Sequence, residues 1–186
     1  FQYKIRPFCN RVKAYLDYLR IPYVAVEVNP ITKKEVSFSK DYKKVPIVLF
    51  DNEQVNDSTP ILNYITSSLV KKEGSLFNKH KDLLTSDTER WSEWSEKKLA
   101  VMLYPNITRN FNESWECFEY TKDVMEWGTA NRYGTRLLGA VAMMFANSKI
   151  KKKYNIVDER KELTEVLNEW TSAVGDKNFL HGNKVT

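Results

Sequence analysis

Phe1-Gln-Tyr-Lys-Ile-Arg-Pro-Phe-Cys9, the stretch FQYKIRPFC, decides how the rest of the chain is read. Residues Phe1 to Ile5 alternate as a strand does, and Pro7 suits the first turn of a helix, where its missing N–H costs nothing. A strand that delivers Cys9 to a helix start points to sulfur chemistry. The unpaired N–H groups there carry about half a positive charge, which favours an anion and lowers a thiol's pKa. Three residues before Cys9, where a dithiol redox protein carries its partner cysteine, stands Arg6. A guanidinium is always protonated and is no nucleophile, but it holds anions well.

Outward from this stretch, Val12, Tyr15, Leu16 and Leu19 continue at helical spacing, and Pro22–Val28 reads as a strand buried on both faces. Strand, helix, strand in so few residues is a βαβ unit with a parallel pair. Asn29-Pro30 opens a short polar helical segment to Phe38, Val45-Pro46 leads a third strand to Phe50, and Asp51-Asn52 turns the chain into a returning strand over Gln54–Asn56. Asp57-Ser58-Thr59-Pro60 is a helix start, with Ile61, Leu62, Ile65 and Leu69 on one face. This order is that of an α/β thioredoxin-like domain, residues 1–70. Pro46, at the head of a strand, is expected to be cis beside the active site.

Residues 71–83 turn polar and are expected to link this domain to an all-α domain over residues 84–186. Ser86-Asp87-Thr88-Glu89 is a capping box, and Trp91, Trp94, Met102 and Leu103 mark a helix ending near Pro105. Cys117, Tyr120, Val124 and Trp127 recur as one apolar stripe on a second helix, where Cys117 is expected to pack in the core. A third helix is expected over Tyr133–Ser148. A fourth carries Leu163, Val166, Leu167, Trp170 and Val174 and is closed by Gly175.

The net charge of +5 is spread as lysine doublets with one denser run, Lys149–Lys153. No aromatic-interleaved basic motif or zinc pattern accompanies it, so solvated surface is favoured and no nucleic-acid partner is expected. Two distant cysteines, Cys9 and Cys117, make no disulfide framework and fit a reducing compartment, which leaves the sequons at Asn56, Asn106 and Asn112 as chance matches. His80 and His181 lie too far from the cysteines for ligand spacing, so no metal site is expected. No apolar run approaches the roughly 20 residues a bilayer needs. A chain opening on Phe1 and ending at Val185-Thr186 is expected to be a piece of a longer one.

The plan resembles that of glutathione transferases. The stretches YKIRPFCNRVKAYLDYLRIPYVAVEVNP, SKDYKKVPIVLFDNEQVNDS and GTANRYGTRLLGAVAMMFANSKIKKKYNI closely resemble the membrane-associated prostaglandin E synthase 2 family. That resemblance implies an α/β thioredoxin-like domain followed by an all-α glutathione transferase C-terminal-like domain. It implies an isomerase that binds glutathione and converts prostaglandin H2 to prostaglandin E2, with haem as a further cofactor held through the glutathione thiolate. It also implies a lipid substrate, a homodimer, and a cytosol-facing place at Golgi or mitochondrial membranes through an N-terminal segment.

Residue by residue, the resemblance puts Tyr3 and Phe8 at the family's active-site aromatics and Cys9 at its second cysteine. Arg6 stands in place of the first, catalytic one, so the sulfur is expected to come from glutathione, kept ionised by Arg6 and the helix dipole. For glutathione binding, Asp57 is expected to take the γ-glutamyl ammonium, Ser58 its carboxylate, and Val45 before Pro46 to pair its backbone with the tripeptide as one more strand. Cys9 remains open between a reactive thiol and one packed under the turn, and Tyr3 between donor and core. Two alternatives stand beside the isomerase: a non-catalytic glutathione- or haem-binding scaffold that has lost the first cysteine, and a monothiol redox enzyme using Cys9.

Overall fold

Pro7 opens helix α1, Pro7–Tyr18, with Arg6 at its N-cap in extended conformation, and Cys9, Val12 and Leu16 turn to the interior. In this computed structural model residues 1–70 and 86–183 are described. They divide between two compact units, one within Phe1–Asn78 and Phe118–Leu137, the other within Lys79–Cys117 and Leu138–Thr186. The linker expected at residues 71–83, together with His80, lies outside the described residues, as do Val185 and Thr186.

In the first unit, strand β1 (Ile47–Phe50) pairs antiparallel with β2 (Glu53–Asn56) in the register Ile47↔Asn56 to Phe50↔Glu53. The turn between them places Asp51 at a φ of +54°. Helix α2, Ser58–Val70, follows at once. The expected strands at Phe1–Ile5 and Pro22–Val28 are reduced to a single parallel bridge, Gln2↔Glu27, in which Gln2 N donates to the Val26 carbonyl and Val28 N to the Gln2 carbonyl, each at 2.9 Å. Phe1 and Ile47 exchange hydrogen bonds of 2.8 and 3.2 Å, so β1 lies on the other side of this first segment.

Pro22–Val28 is not buried on both faces. Val28 is fully buried but Val24 is 89% exposed, because the segment is the sheet's edge and only its C-terminal end is bound to a neighbour. The polar segment after Asn29 closes as one 3₁₀ turn, Lys34–Val36, not a longer helix. Two apolar clusters hold the unit: Cys9, Val28, Val36, Val45 and Ile47 form one, and Val12, Leu16, Leu19, Ile61 and Ile65 the other, where α1 meets α2. Each such side chain, fully buried, contributes about 1.5–3 kcal/mol.

The segment Phe118–Leu137 belongs to this unit, where Asn29 Nδ2 donates to Thr135 Oγ1 at 3.2 Å and Tyr120 hydrogen-bonds the Glu27 carboxylate. The helix expected along Cys117, Tyr120, Val124 and Trp127 does not form as one rod. One helix ends at Cys117, a 3₁₀ turn covers Glu119–Asp123, and Val124 is extended. Competing hydrogen bonds explain it. Arg132 donates to the carbonyls of Trp127, Lys122 and Met125 at 2.7, 3.1 and 3.2 Å, and the Thr121 hydroxyl to that of Phe118 at 2.9 Å.

The second unit is helical. Helix α3 (Ser86–Trp94) runs through a π turn, Ser95–Leu99, into α4 (Ala100–Ile107), which keeps Pro105 inside it. Helix α5 is Phe111–Cys117. Helix α6, Thr129–Tyr154, belongs to this unit from Leu138 on; it outruns the expected Tyr133–Ser148, and its last turn carries Lys151, Lys152 and Lys153, cations that suit a helix C-terminus. Asp158 caps α7 (Glu159–Val174) by accepting from Arg160 N and Lys161 N, and Gly175 follows at a φ of +57°. Met102, Ile156 and Val166 are its core. Asn106, of the Asn106 sequon, is buried, donating to the Met102 and Glu159 carbonyls at 2.9 and 2.8 Å. No helix among the described residues is long and apolar enough to cross a membrane.

Candidate functional site

Two helix starts build the site within the first unit. At the first, Arg6 N donates to the Tyr3 carbonyl at 2.9 Å, and the Cys9 and Asn10 amides close on the Arg6 carbonyl at 3.0 and 3.1 Å. This tight turn puts Tyr3, Arg6 and Cys9 side by side. The Arg6 guanidinium lies 5.8 Å from the centre of the Phe8 ring, and its buried Nε has no hydrogen-bond partner among the described residues.

Cys9 is 1% exposed and packs with Val28, Val36, Val45 and Ile47. Burial pushes its thiol pKa up, against a backbone hydrogen bond from Tyr3 and the charges of Arg6 and the terminal amine, which act the other way. Desolvation therefore wins over the helix start, and Cys9 stands as a neutral thiol. Tyr3 is half-buried, and burial likewise pushes its phenol up, with Arg6 again opposing.

The second helix start follows the cis Val45–Pro46 bond. The Asp57 amide donates to the Pro46 carbonyl at 3.1 Å, which ties the entry of β1 to the entry of α2. Asp57 sits at a φ of +72°, its carbonyl takes the Ile61 amide at 3.1 Å, and its own Oδ1 takes the Ser58 amide at 2.7 Å. Ser58 is 1% exposed. From α1, Arg11 Nη1 donates to Thr59 Oγ1 at 3.1 Å, and Asp57 offsets part of the desolvation that lowers the Arg11 pKa.

Tyr42 joins the halves and was not singled out from the sequence. It packs on the cluster containing Cys9 and Val45, and its phenol, pushed up chiefly by burial, feels the charges of both Asp57 and Arg6. Its only signal was an aromatic among charged residues, three positions before Val45. Gln54 was missed as well: its Nε2 donates to Ser39 Oγ and Asn56 Oδ1, both at 2.8 Å. Cys117 belongs to the second unit, half-buried with its thiol pushed up by burial. His181 also lies there, 2.7 Å from Asp87 Oδ2.

A cis proline at the head of a strand, one helix start after the first strand segment and another after the hairpin are the features of a thioredoxin-like domain. Residues 1–69 match the family model for the glutathione S-transferase N-terminal domain, so this chain carries such a domain followed by a mostly helical region. Its curated relatives include the prostaglandin E synthase 2 of Danio rerio, 28% identical, and that of Mus musculus, 29% identical. Each match takes in 99% of this chain and 59% of the relative, so the chain spans 59% of the length of these proteins. Domain and relatives together support a glutathione-related function.

Proposed function

We propose that this chain binds glutathione and uses its sulfur to isomerise a lipid endoperoxide of the prostaglandin H2 type to the ketone-alcohol of the E2 type. The observation that carries the reading is the buried Arg6 Nε at the start of α1, without a hydrogen-bond partner among the described residues, on a turn whose own Cys9 thiol is kept neutral by burial. The residues present fit the tripeptide. Asp57 would take its ammonium and the α2 start its carboxylate, while Val45, whose N–H and carbonyl meet no other backbone group among the described residues, offers a strand edge.

Glutathione supplies a thiolate that acts on one peroxide oxygen and leaves unchanged. Net, the O–O bond breaks, the carbon bearing one oxygen loses a proton and becomes the ketone, and the other oxygen gains a proton. Arg6 and the amides of α1 hold the negative charge, and Tyr3 is placed to give a proton to the departing oxygen. Haem stays outside this reading, since the glutathione S-transferase N-terminal match supports glutathione alone.

The test is the purified chain on prostaglandin H2 with and without glutathione. Product formed only with glutathione, and retained in Cys9→Ala, supports the reading; equal yields in both conditions sink it. A glutathione-dependent disulfide reductase activity abolished by Cys9→Ser would favour the monothiol alternative. Glutathione binding without turnover would favour the scaffold.

A further inference from the structure

Beside the start of α2 a carboxylate and a guanidinium stand together. Arg11 belongs to α1, and its Nη1 donates across to Thr59 Oγ1 at 3.1 Å, two positions past Asp57 and within the first turn of α2. The Asp57 carboxylate offsets part of the desolvation that half-burial imposes on the guanidinium. Asp57 and Thr59 are both exposed, so the pair opens to solvent.

Ser58, between them, offers a ligand little. It is almost wholly buried, and its amide already donates to Asp57 Oδ1 at 2.7 Å. A carboxylate arriving at this end of α2 therefore meets the negative charge of Asp57 first, and Arg11 is the cation placed to offset it.

We propose, resting on the glutathione reading above, that Arg11 recognises the α-carboxylate of the γ-glutamyl group while Asp57 takes the ammonium on the same carbon, so that the site selects thiols carrying a free α-amino acid end. Charge pattern favours this end of the tripeptide. The glycine end carries a carboxylate alone, which Asp57 repels, and a simple amine would be repelled by Arg11. The γ-glutamyl α-carbon carries both charges, and each meets its opposite.

The Thr59 hydroxyl is a neutral acceptor. A guanidinium binds a carboxylate with two parallel N–H···O bonds, each about twice as strong as a bond to a neutral group, which favours exchanging Thr59 for the ligand. That exchange leaves the helices in place. Val12 and Leu16 of α1 pack with Ile61 and Ile65 of α2, so the spacing of Arg11 and Asp57 is fixed by the core and not by the Arg11–Thr59 bond alone.

The test is calorimetric titration of the full chain with glutathione and with 4-aminobutyryl-Cys-Gly, the same tripeptide without its α-carboxylate. The unsubstituted chain should bind glutathione about tenfold or more tighter than the analogue. Arg11→Gln should remove that preference by weakening glutathione alone, and Arg11→Lys should restore only part of it, because an ammonium lacks the planar fork. Thr59→Val, which deletes the acceptor that the ligand replaces, should keep the preference. Glutathione binding unchanged in Arg11→Gln overturns the proposal and leaves the glutathione reading standing. Equal weakening of both ligands in Arg11→Gln, or loss of the preference in Thr59→Val, makes Arg11 a pin between the helices and overturns it likewise. An unsubstituted chain that binds no glutathione overturns both the proposal and that reading.

Discussion

Alkylation of Cys9 separates the two possible sources of sulfur. At pH 7.5 a thiol with the ordinary value of 9.0 is about 3% thiolate, and each unit by which burial raises the pKa removes a further tenfold. At 1% exposure the sulfur also has to wait for the turn around it to open. A local opening of about 3–5 kcal/mol slows reaction about 150- to 5,000-fold. Iodoacetamide labelling, mapped by mass spectrometry, should therefore leave Cys9 essentially unmodified in the native protein while it reacts readily in guanidinium. Cys117, half-buried, is the internal comparison and should label faster. Native Cys9 reacting within about tenfold of its unfolded rate would refute the buried, neutral thiol and return Cys9 to the list of nucleophiles.

Arg6→Met should move the acid limb of the glutathione-dependent pH–rate profile up by about one unit, roughly 1.4 kcal/mol of lost thiolate stabilisation, with Arg6→Lys restoring part of it. Asp57→Ala should cost about 1 kcal/mol in urea unfolding, since it frees the Ser58 amide and leaves a strained φ, and should weaken retention on immobilised glutathione. Arg132→Ala should cost about 2 kcal/mol, and Arg132→Lys should not restore it, because one ammonium cannot reach the three carbonyls that the guanidinium serves. Stability should fall as pH rises above about 9. The folded state holds the protons of Cys9 and Tyr3 to higher pH than the unfolded chain does, so their contribution is whole below the unfolded values and fades through the folded ones. Cys9→Ala should make that decline shallower.

What was legible in the sequence was local chemistry. Pro46 before a strand and Asp57-Ser58-Thr59-Pro60 before an apolar helix face carry their own backbone restrictions, and both came out as read. Pro22–Val28 was misread because its β-branched run measures strand propensity, whereas burial on two faces depends on neighbours that sit only at its C-terminal end. The apolar spacing of Cys117, Tyr120, Val124 and Trp127 was real, yet Arg132 lies outside that window and takes the carbonyls a helix would need. Tyr42 carries no motif at all. Its role comes from two charges, Arg6 and Asp57, that lie far from it in sequence and near it in space.

Cys9 was open for a physical reason: the helix start and the interior pull its proton in opposite directions, and a sequence gives no relative size for the two. In the folded unit Arg6, the terminal amine and a Tyr3 backbone hydrogen bond all favour the thiolate, and desolvation still outweighs them. The same balance argues for an external thiol. A glutathione sulfur lying on the solvent side of the α1 start would keep much of its hydration while meeting the same guanidinium, so the cationic field that fails at Cys9 would act on it nearly unopposed. On the proposed reading, Arg6 in the position where the resemblance expects the first cysteine leaves the sulfur to the ligand, provided that the α2 start holds the tripeptide in register with Arg6. Tyr42, which feels Asp57 and Arg6 together, is the residue through which that register can be probed.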